Sequence, residues 1–479
     1  MSEKRTFLKA SSHYLTSQIV VLCISLISFP IVVRLLSVED YGVLSLCNTI
    51  LLFAVALSKL GMQHSIIRFY PDYERKDELP CFFRSYAVIG LVLGFIFFWI
   101  SGLMTYLFVP EISSGIIWFV AGVALFQTFS SYQTTFLRSQ EKSALFSLQS
   151  ILSRALASFG GIGLILLFHD GILNLFQAQF FSLIVIVIIM LMYQGRYFRG
   201  GNKFISSSLL VESIKFGLPL VAFEMSSIAL AFSDRFLITY FNGVQQLGIY
   251  AVAYTLCMYI GDLLRQPISM AVGPMYNRIY AREGATKACE FLAELGQIVA
   301  LIGLPIFFGC VAVRVDLITF LASDKYVSAA AVIPWVLGGF LLYACQPIIS
   351  AGLYLHKKTT VIATISFVCV VLNIAANFFL LPRFGIIAAA WTTAGSYVLS
   401  VILIYRFSSQ QLAITWPLIS ITKYVFSALL MFVVVTNLPE TFNLFVKIFV
   451  GLLFYPAVVL IFDGYVRQHV VIFIMRKAR

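Results

Sequence analysis

The chain has little charge. Asp, Glu, Lys and Arg make up 11% of its 479 residues, against about 25% in a typical soluble domain. Hydrophobic residues make up 60%, and mean hydropathy is +0.95. That deficit of charge excludes a soluble enzyme, a nucleic-acid-binding domain and a disordered scaffold. The eight cysteines contain no CxxC pair and no Cys/His cluster. They offer neither a zinc site, a redox motif nor a disulfide framework, and they read as small buried hydrophobes. The GxxxxGKS/T phosphate loop, the GxSxG elbow and any connection large enough for a catalytic platform are also missing. The expectation is a protein that is not an enzyme and that uses no cofactor or metal.

What the chain has instead is long apolar runs, rich in Phe (45) and Tyr (23). Fourteen of them approach or exceed the roughly 20 residues a helix needs to cross a bilayer. The first is 14–36, the second 42–64, the fifth 144–168, the seventh 214–240 and the tenth 329–356. The strands of an outer-membrane barrel would alternate in character and stop after about 10 residues. The predicted fold class is therefore an all-α polytopic membrane protein. The first run is too long for a signal-peptide core and lacks a small-residue cleavage site, so it reads as a retained span.

The basic residues orient the chain. With the N-terminus inside, 24 of the 33 Lys and Arg residues fall on cytoplasmic segments. Five (Arg34, Arg314, Lys325, Arg383 and Lys447) fall on outside turns. That asymmetry predicts cytoplasmic termini and makes most of the +12 net charge an orientation signal. The segment 465–479 reads equally as an amphipathic helix on the inner surface or as a solvated end.

Internal repetition is weak but ordered. Asp40-Tyr41-Gly42, Gln246-Leu247-Gly248 and Arg383-Phe384-Gly385 are each followed by a Thr seven residues after the Gly. Pro71-Asp72-Tyr73 parallels Pro274-Met275-Tyr276. The first two spans thus resemble the seventh and eighth, which suggests two six-helix bundles. The expected organisation is 1–203, 204–409, two added helices in 410–464, and the basic tail 465–479.

Ionisable groups at membrane depth are costly and mark pathways. Lys59 and Arg154 fall inside the second and fifth runs, and Arg34, His64 and Arg68 lie nearer the ends of theirs. Together they predict a cationic cavity for an anionic headgroup, since Arg and Lys suit phosphate oxygens. Arg34 and Arg68 read equally as interfacial snorkels. The acids Glu224, Asp234 and Asp262, with Arg235 and Arg265, offer two readings: a proton or sodium site coupled to transport, or gating and structural ion pairs. Asp262 and Arg265 stand three apart on one helix and favour the ion pair.

These residues carry a resemblance. The stretch Arg34-Leu35-Leu36-Ser37-Val38-Glu39-Asp40-Tyr41-Gly42 is similar to the first outside turn of lipid-linked oligosaccharide flippases. So are Asp234-Arg235-Phe236, Asn242-Gly243, Leu247-Gly248-Ile249-Tyr250 and the run 274–284. The chain resembles the O-antigen flippase branch of the multidrug/oligosaccharidyl-lipid/polysaccharide exporter superfamily. The resemblance implies two six-helix bundles in a V around a central cavity, with two extra helices. It implies a substrate of undecaprenyl-pyrophosphate-linked oligosaccharide, moved from the cytoplasmic to the outer face of the inner membrane by alternating access. Partners would be that lipid-linked oligosaccharide, membrane lipids, a coupling proton or sodium ion and other polysaccharide assembly proteins, with no nucleic acid. The alternative is a cation-coupled multidrug or metabolite exporter of the same superfamily. A membrane polymerase or ligase would need a large outside loop, and an inert scaffold would not be expected to place Lys59 and Arg154 at depth.

Overall fold

The computed structural model describes the chain except for Met1, 110–111, 199–204, 440, 465–466 and 468–479; of the rest, the side chains of 2–12, 15, 196, 223 and 271 are not described. The predicted tail 465–479 therefore lies, apart from Arg467, outside the described residues. Among the described residues fourteen helical segments are long and apolar enough to cross a membrane, and there is no strand. The chain divides into two compact units, Met1–Gly248 and Ile249–Arg479. The seventh span therefore packs with the first six. The six-helix repeat ending at 203 remains a proposal about repetition in the chain, separate from this division by contact.

The first unit holds α1 (Ser2–Leu35), α2 (Val38–Ser58), α3 (Met62–Arg75), α4 (Leu79–Phe108), α5 (Ser114–Ser139), α6 (Ser143–Phe168), α7 (Ile172–Gln194), α8 (Ser207–Phe232) and α9 (Asp234–Asn242). The unit boundary falls within α10 (Val244–Glu283). The second unit continues with α11 (Ala285–Ala312), α12 (Arg314–Leu321), α13 (Ile333–Tyr343), α14 (Gln346–Ile349) and α15 (Ala351–Leu355). It ends with α16 (Thr359–Phe384), α17 (Ile386–Ser408), α18 (Leu418–Thr436) and α19 (Leu444–Phe462).

Three runs expected as single helices are broken. The second run splits at Lys59-Leu60-Gly61, where Leu60 (φ 45°) and Gly61 (φ 71°) turn left-handed. The Lys59 carbonyl accepts from Met62 N across the break at 2.8 Å, and the Tyr132 hydroxyl on α5 donates to it as well at 3.3 Å. The seventh run splits at Ser233 between α8 and α9. The tenth becomes α13, α14 and α15, with Pro347 at the start of α14. Pro30, Pro219, Pro267 and Pro305 stay inside longer helices.

An aromatic core fixes α8 in the first unit. Phe82, Phe83 and Tyr86 of α4 pack with Tyr132 and Phe136 of α5, and Leu209 of α8 joins them. The Tyr86 hydroxyl bonds Ser213 Oγ at 2.6 Å, and Ser65 Oγ donates to the Ser213 carbonyl at 2.8 Å. Ser37 caps α2 by accepting from Asp40 N at 3.0 Å, with Glu39 and Asp40 in the first turn facing the positive end of the helix. The repeat-related Gly42 and Gly248 meet where α2 crosses the start of α10. A Cβ on either would fall on the other helix's backbone.

In the second unit a buried polar ladder joins α16 to α17. Thr392 Oγ1 donates to Asn377 Oδ1 at 2.7 Å, Asn377 Nδ2 to Asn373 Oδ1 at 3.1 Å, and Asn373 Nδ2 to Ser396 Oγ at 3.1 Å. Asn377 is fully buried. Asn377→Leu removes the middle rung and leaves Asn373 Oδ1 without its donor. We predict a loss of about 1–3 kcal/mol, read as a lower Tm in detergent. An unchanged Tm would show that the ladder contributes nothing to folding.

Candidate functional site

A cavity of about 600 Å³ opens within the first unit, lined by α2, α5, α6, α7 and α8 with Gln63 of α3 and Val21 of α1. Two helices supply most of its polar surface. On α5 the residues Gln127, Ser130, Ser131, Thr134, Thr135 and Arg138 recur at three- and four-residue steps, which places them on one face. On α6 the same spacing joins Gln149, Ser150, Ser153 and Arg154. Gln179 and Ser182 of α7 extend the polar wall.

The cations are held at different points of this wall. Lys59 sits at the end of α2, where the break turns it toward α8. Its Nζ lies 3.0 Å from Glu224 Oε1, and the two side chains are 15% and 27% exposed. Gln63 Nε2 donates to the other carboxylate oxygen at 2.7 Å. Arg154 Nε donates to Ser25 Oγ of α1 at 2.9 Å, which holds its guanidinium at the rim shared by α1 and α6. Arg138 closes the end of the α5 stripe and is exposed. Three cations and one carboxylate thus line the cavity, a net charge of two positive.

The structure separates the candidate cations. Lys59 and Arg154 line the cavity. Arg34, in the last turn of α1, and His64, on α3, are exposed and stand outside its lining. Arg68 is also outside, with its guanidinium over the Phe216 ring at 4.4 Å and the Phe69 ring at 5.7 Å.

The acids separate as well. Glu224 is the one that joins the cavity, as the partner of Lys59. Asp234 and Arg235 are buried together on α9, 3.6 Å apart. Arg235 Nε donates to Ser45 Oγ of α2 at 3.0 Å and its guanidinium stacks on Phe232. That geometry fastens α9 to α2. Asp262 and Arg265, in the second unit, form an i,i+3 pair at 3.0 Å.

Sequence reasoning missed Arg138, Gln127 and Gln63. By position Arg138 is one of the 24 Lys and Arg residues that fall on cytoplasmic segments. The signal that finds it is the polar stripe on α5, which runs unbroken from Gln127 to Arg138 along an otherwise apolar helix. A second cavity, of about 510 Å³, lies in the second unit between α11, α18 and α19. Its lining is apolar except for Lys447, which pairs with Asp316 at 2.6 Å. Among the described residues no group of three or more His, Cys, Asp or Glu side chains could hold a metal.

Comparison with known proteins places this architecture. The probable low-salt glycan biosynthesis flippase Agl15 of Haloferax volcanii is 22% identical over 276 residues, covering 55% of this chain and 58% of its own length. An uncharacterized membrane protein of Methanocaldococcus jannaschii, MJ1068, is 22% identical over 382 residues and 74% of each chain. Among solved structures, the lipid II flippase MurJ in an inward closed conformation matches with a TM-score of 0.76 at 15% identity, over 95% of this chain and 98% of that one. An inward-facing multidrug resistance transporter of the MATE family matches with a TM-score of 0.58 at 14% identity, over 81% and 94%. Those likenesses establish a shared polytopic transporter fold. The family described as polysaccharide biosynthesis protein matches residues 31–331, more than half of the sequence. The chain is a multi-pass membrane protein that belongs to the polysaccharide biosynthesis protein family.

Proposed function

We propose that the protein is a flippase for a lipid-linked oligosaccharide. It would carry an undecaprenyl-pyrophosphate-linked repeat unit from the cytoplasmic to the outer face of the inner membrane, by alternating access, for surface polysaccharide assembly. The observation that carries this reading is the cavity in the first unit, where Lys59, Arg138 and Arg154 share a wall with amides and hydroxyls. A pyrophosphate diester bears a negative charge on each phosphate and suits such cations. The sugars suit the amides and hydroxyls beside them. Family membership and the names of the flippase relatives support the same reading.

In this reading Lys59, Arg138 and Arg154 hold the pyrophosphate, and Arg34, His64 and Arg68 lie on its approach. Glu224 is the counter-charge that Lys59 releases when substrate arrives, and a proton or sodium ion accompanies that exchange. The ion pairs Asp234–Arg235 and Asp262–Arg265 serve as gating elements. The alternative, a cation-coupled exporter of soluble compounds, draws support from the carboxylate of Glu224 in the cavity and from the MATE-family fold. The excess of cations over carboxylates there favours an anionic substrate.

The test uses cells lacking the protein, complemented with wild type or with Lys59→Ala/Arg154→Ala, and an outside-only label for the lipid-linked sugar. Accumulation on the inner face, relieved by wild type and not by the variant, is the expected result. Normal outside labelling in the deletion, with no redundant flippase present, would move the exporter to first place.

A further inference from the structure

The second cavity, of about 510 Å³, is built from one end of three helices. α11 lines it from Leu301 onward, α18 with Met431 and Val435, and α19 from Lys447 to Pro456. The distribution of Lys and Arg assigns those ends to the outer face. Lys447 and Pro456 stand nine residues apart, about 13 Å along the helix, against about 15 Å for half of the hydrocarbon core. The cavity thus has the depth of one leaflet. Glycine makes the room: a Cβ on Gly309 or Gly451 would reach no closer than 3.5 Å to Met431. Pro305 cannot donate to the Leu301 carbonyl, and the Tyr455 hydroxyl takes that place at 2.9 Å. Ile302, Ile448 and Leu452 of the lining are exposed, which at this depth means open to lipid.

The outer end carries one ion pair. Lys447 Nζ lies 2.6 Å from Asp316 Oδ2, and Asp316 is 37% exposed. Asp316 Oδ1 and the other two ammonium protons of Lys447 have no partner among the described residues. The pair therefore offers both a cation and an anion at the mouth of an apolar cavity. We propose that this is a binding site for a zwitterionic phospholipid of the outer leaflet, phosphatidylethanolamine. One acyl chain fills the cavity, the phosphate accepts from Lys447, and the ammonium donates to Asp316. Phosphatidylcholine has no N–H to give the carboxylate. Phosphatidylglycerol brings only negative charge to a pair whose net charge is zero. A polyprenyl phosphate has the same deficit, and its chain is longer than one leaflet is deep. The site lies wholly in the second unit and does not depend on the cationic cavity of the first.

The experiment titrates the delipidated full chain in detergent with each lipid and counts bound molecules by native mass spectrometry. Its probes are phosphatidylethanolamine, phosphatidylcholine and phosphatidylglycerol with identical acyl chains, and undecaprenyl phosphate. Wild type should bind its first phosphatidylethanolamine about tenfold more tightly than either other phospholipid, the equivalent of one charge-assisted hydrogen bond. Lys447→Met/Asp316→Leu replaces the pair with apolar chains, which folding tolerates. It should bind all three phospholipids alike. Gly451→Leu, which fills the cavity, should lose the tight site for all three, while its Tm without lipid stays at or above that of wild type. Equal binding of the three phospholipids by wild type, or a preference that survives the double variant, would overturn the inference. So would displacement of phosphatidylethanolamine by an equal concentration of undecaprenyl phosphate, which would make the cavity a seat for the carrier chain.

Discussion

Lys59→Met should lower transport of the lipid-linked sugar by about 10–100-fold, the equivalent of one charge-assisted hydrogen bond to phosphate. It should also destabilise the first unit. Glu224, whose carboxylate lies 3.0 Å from Lys59 Nζ, would be left in the cavity wall with only the Gln63 amide as a partner. Removing one member of a fully buried pair costs about 3–5 kcal/mol. With these side chains 15% and 27% exposed, solvent screening lowers the figure to about 1–3 kcal/mol. Adding Glu224→Met should recover most of that stability, because two apolar chains of similar length replace the pair. It should not recover transport, because the cation that meets the phosphate is still gone. Glu224→Gln alone should leave the fold near wild-type stability and bind inorganic pyrophosphate more tightly, since the competing carboxylate has been removed. The pair of readouts, Tm and outside labelling, separates a structural ion pair from a substrate site. If the double variant regains transport with stability, Lys59 is structural and the cationic reading of the cavity fails.

The sequence already contained much of this. Fourteen apolar runs, the side-to-side bias of Lys and Arg and the repeated glycine turns made the polytopic all-α architecture readable, because bilayer thickness and orientation act on the composition of each segment by itself. Lys59 and Arg154 stood out as charges within apolar runs for the same reason. The joining of Lys59 to Glu224 was not readable, since it depends on α8 packing into the first unit 165 residues away in sequence. Nor was the separation of Arg68 from Lys59: nine residues apart, they would share a continuous helix, but the break at Leu60 and Gly61 redirects everything after it. The α5 stripe was legible in principle. A run of Ser and Thr in an apolar helix carries no charge to set it apart in the sequence, and Arg138 at its end has the position of an orienting cation.

That break at Gly61 carries the second large effect. Gly61→Ala should destabilise the first unit by several kcal/mol and abolish transport. Two costs combine. Gly61 sits at φ 71°, where an L-residue loses about 1–2 kcal/mol. Its new Cβ would also land on the backbone carbonyl of Gly217 in α8, which has no rotamer with which to move aside. The contact is reciprocal, for a Cβ on Gly217 would stand 2.6 Å from the Leu60 carbonyl. Gly217 lies seven residues, or about two turns, before Glu224 on α8. Any shift that relieves the clash therefore moves Glu224 away from Lys59 and distorts the cavity wall. Gly163→Ala on α6 is the control of opposite sign. Its Cβ would meet nothing within 4 Å, and replacing a helical glycine by alanine should raise stability by about 0.5–1 kcal/mol. Thermal unfolding of the three variants in one detergent checks the pattern: Gly61→Ala and Gly217→Ala well below wild type, Gly163→Ala slightly above it. Equal Tm values for Gly61→Ala and wild type would mean that α2 and α8 do not cross at these glycines, and the alignment of Lys59 with Glu224 would lose its support.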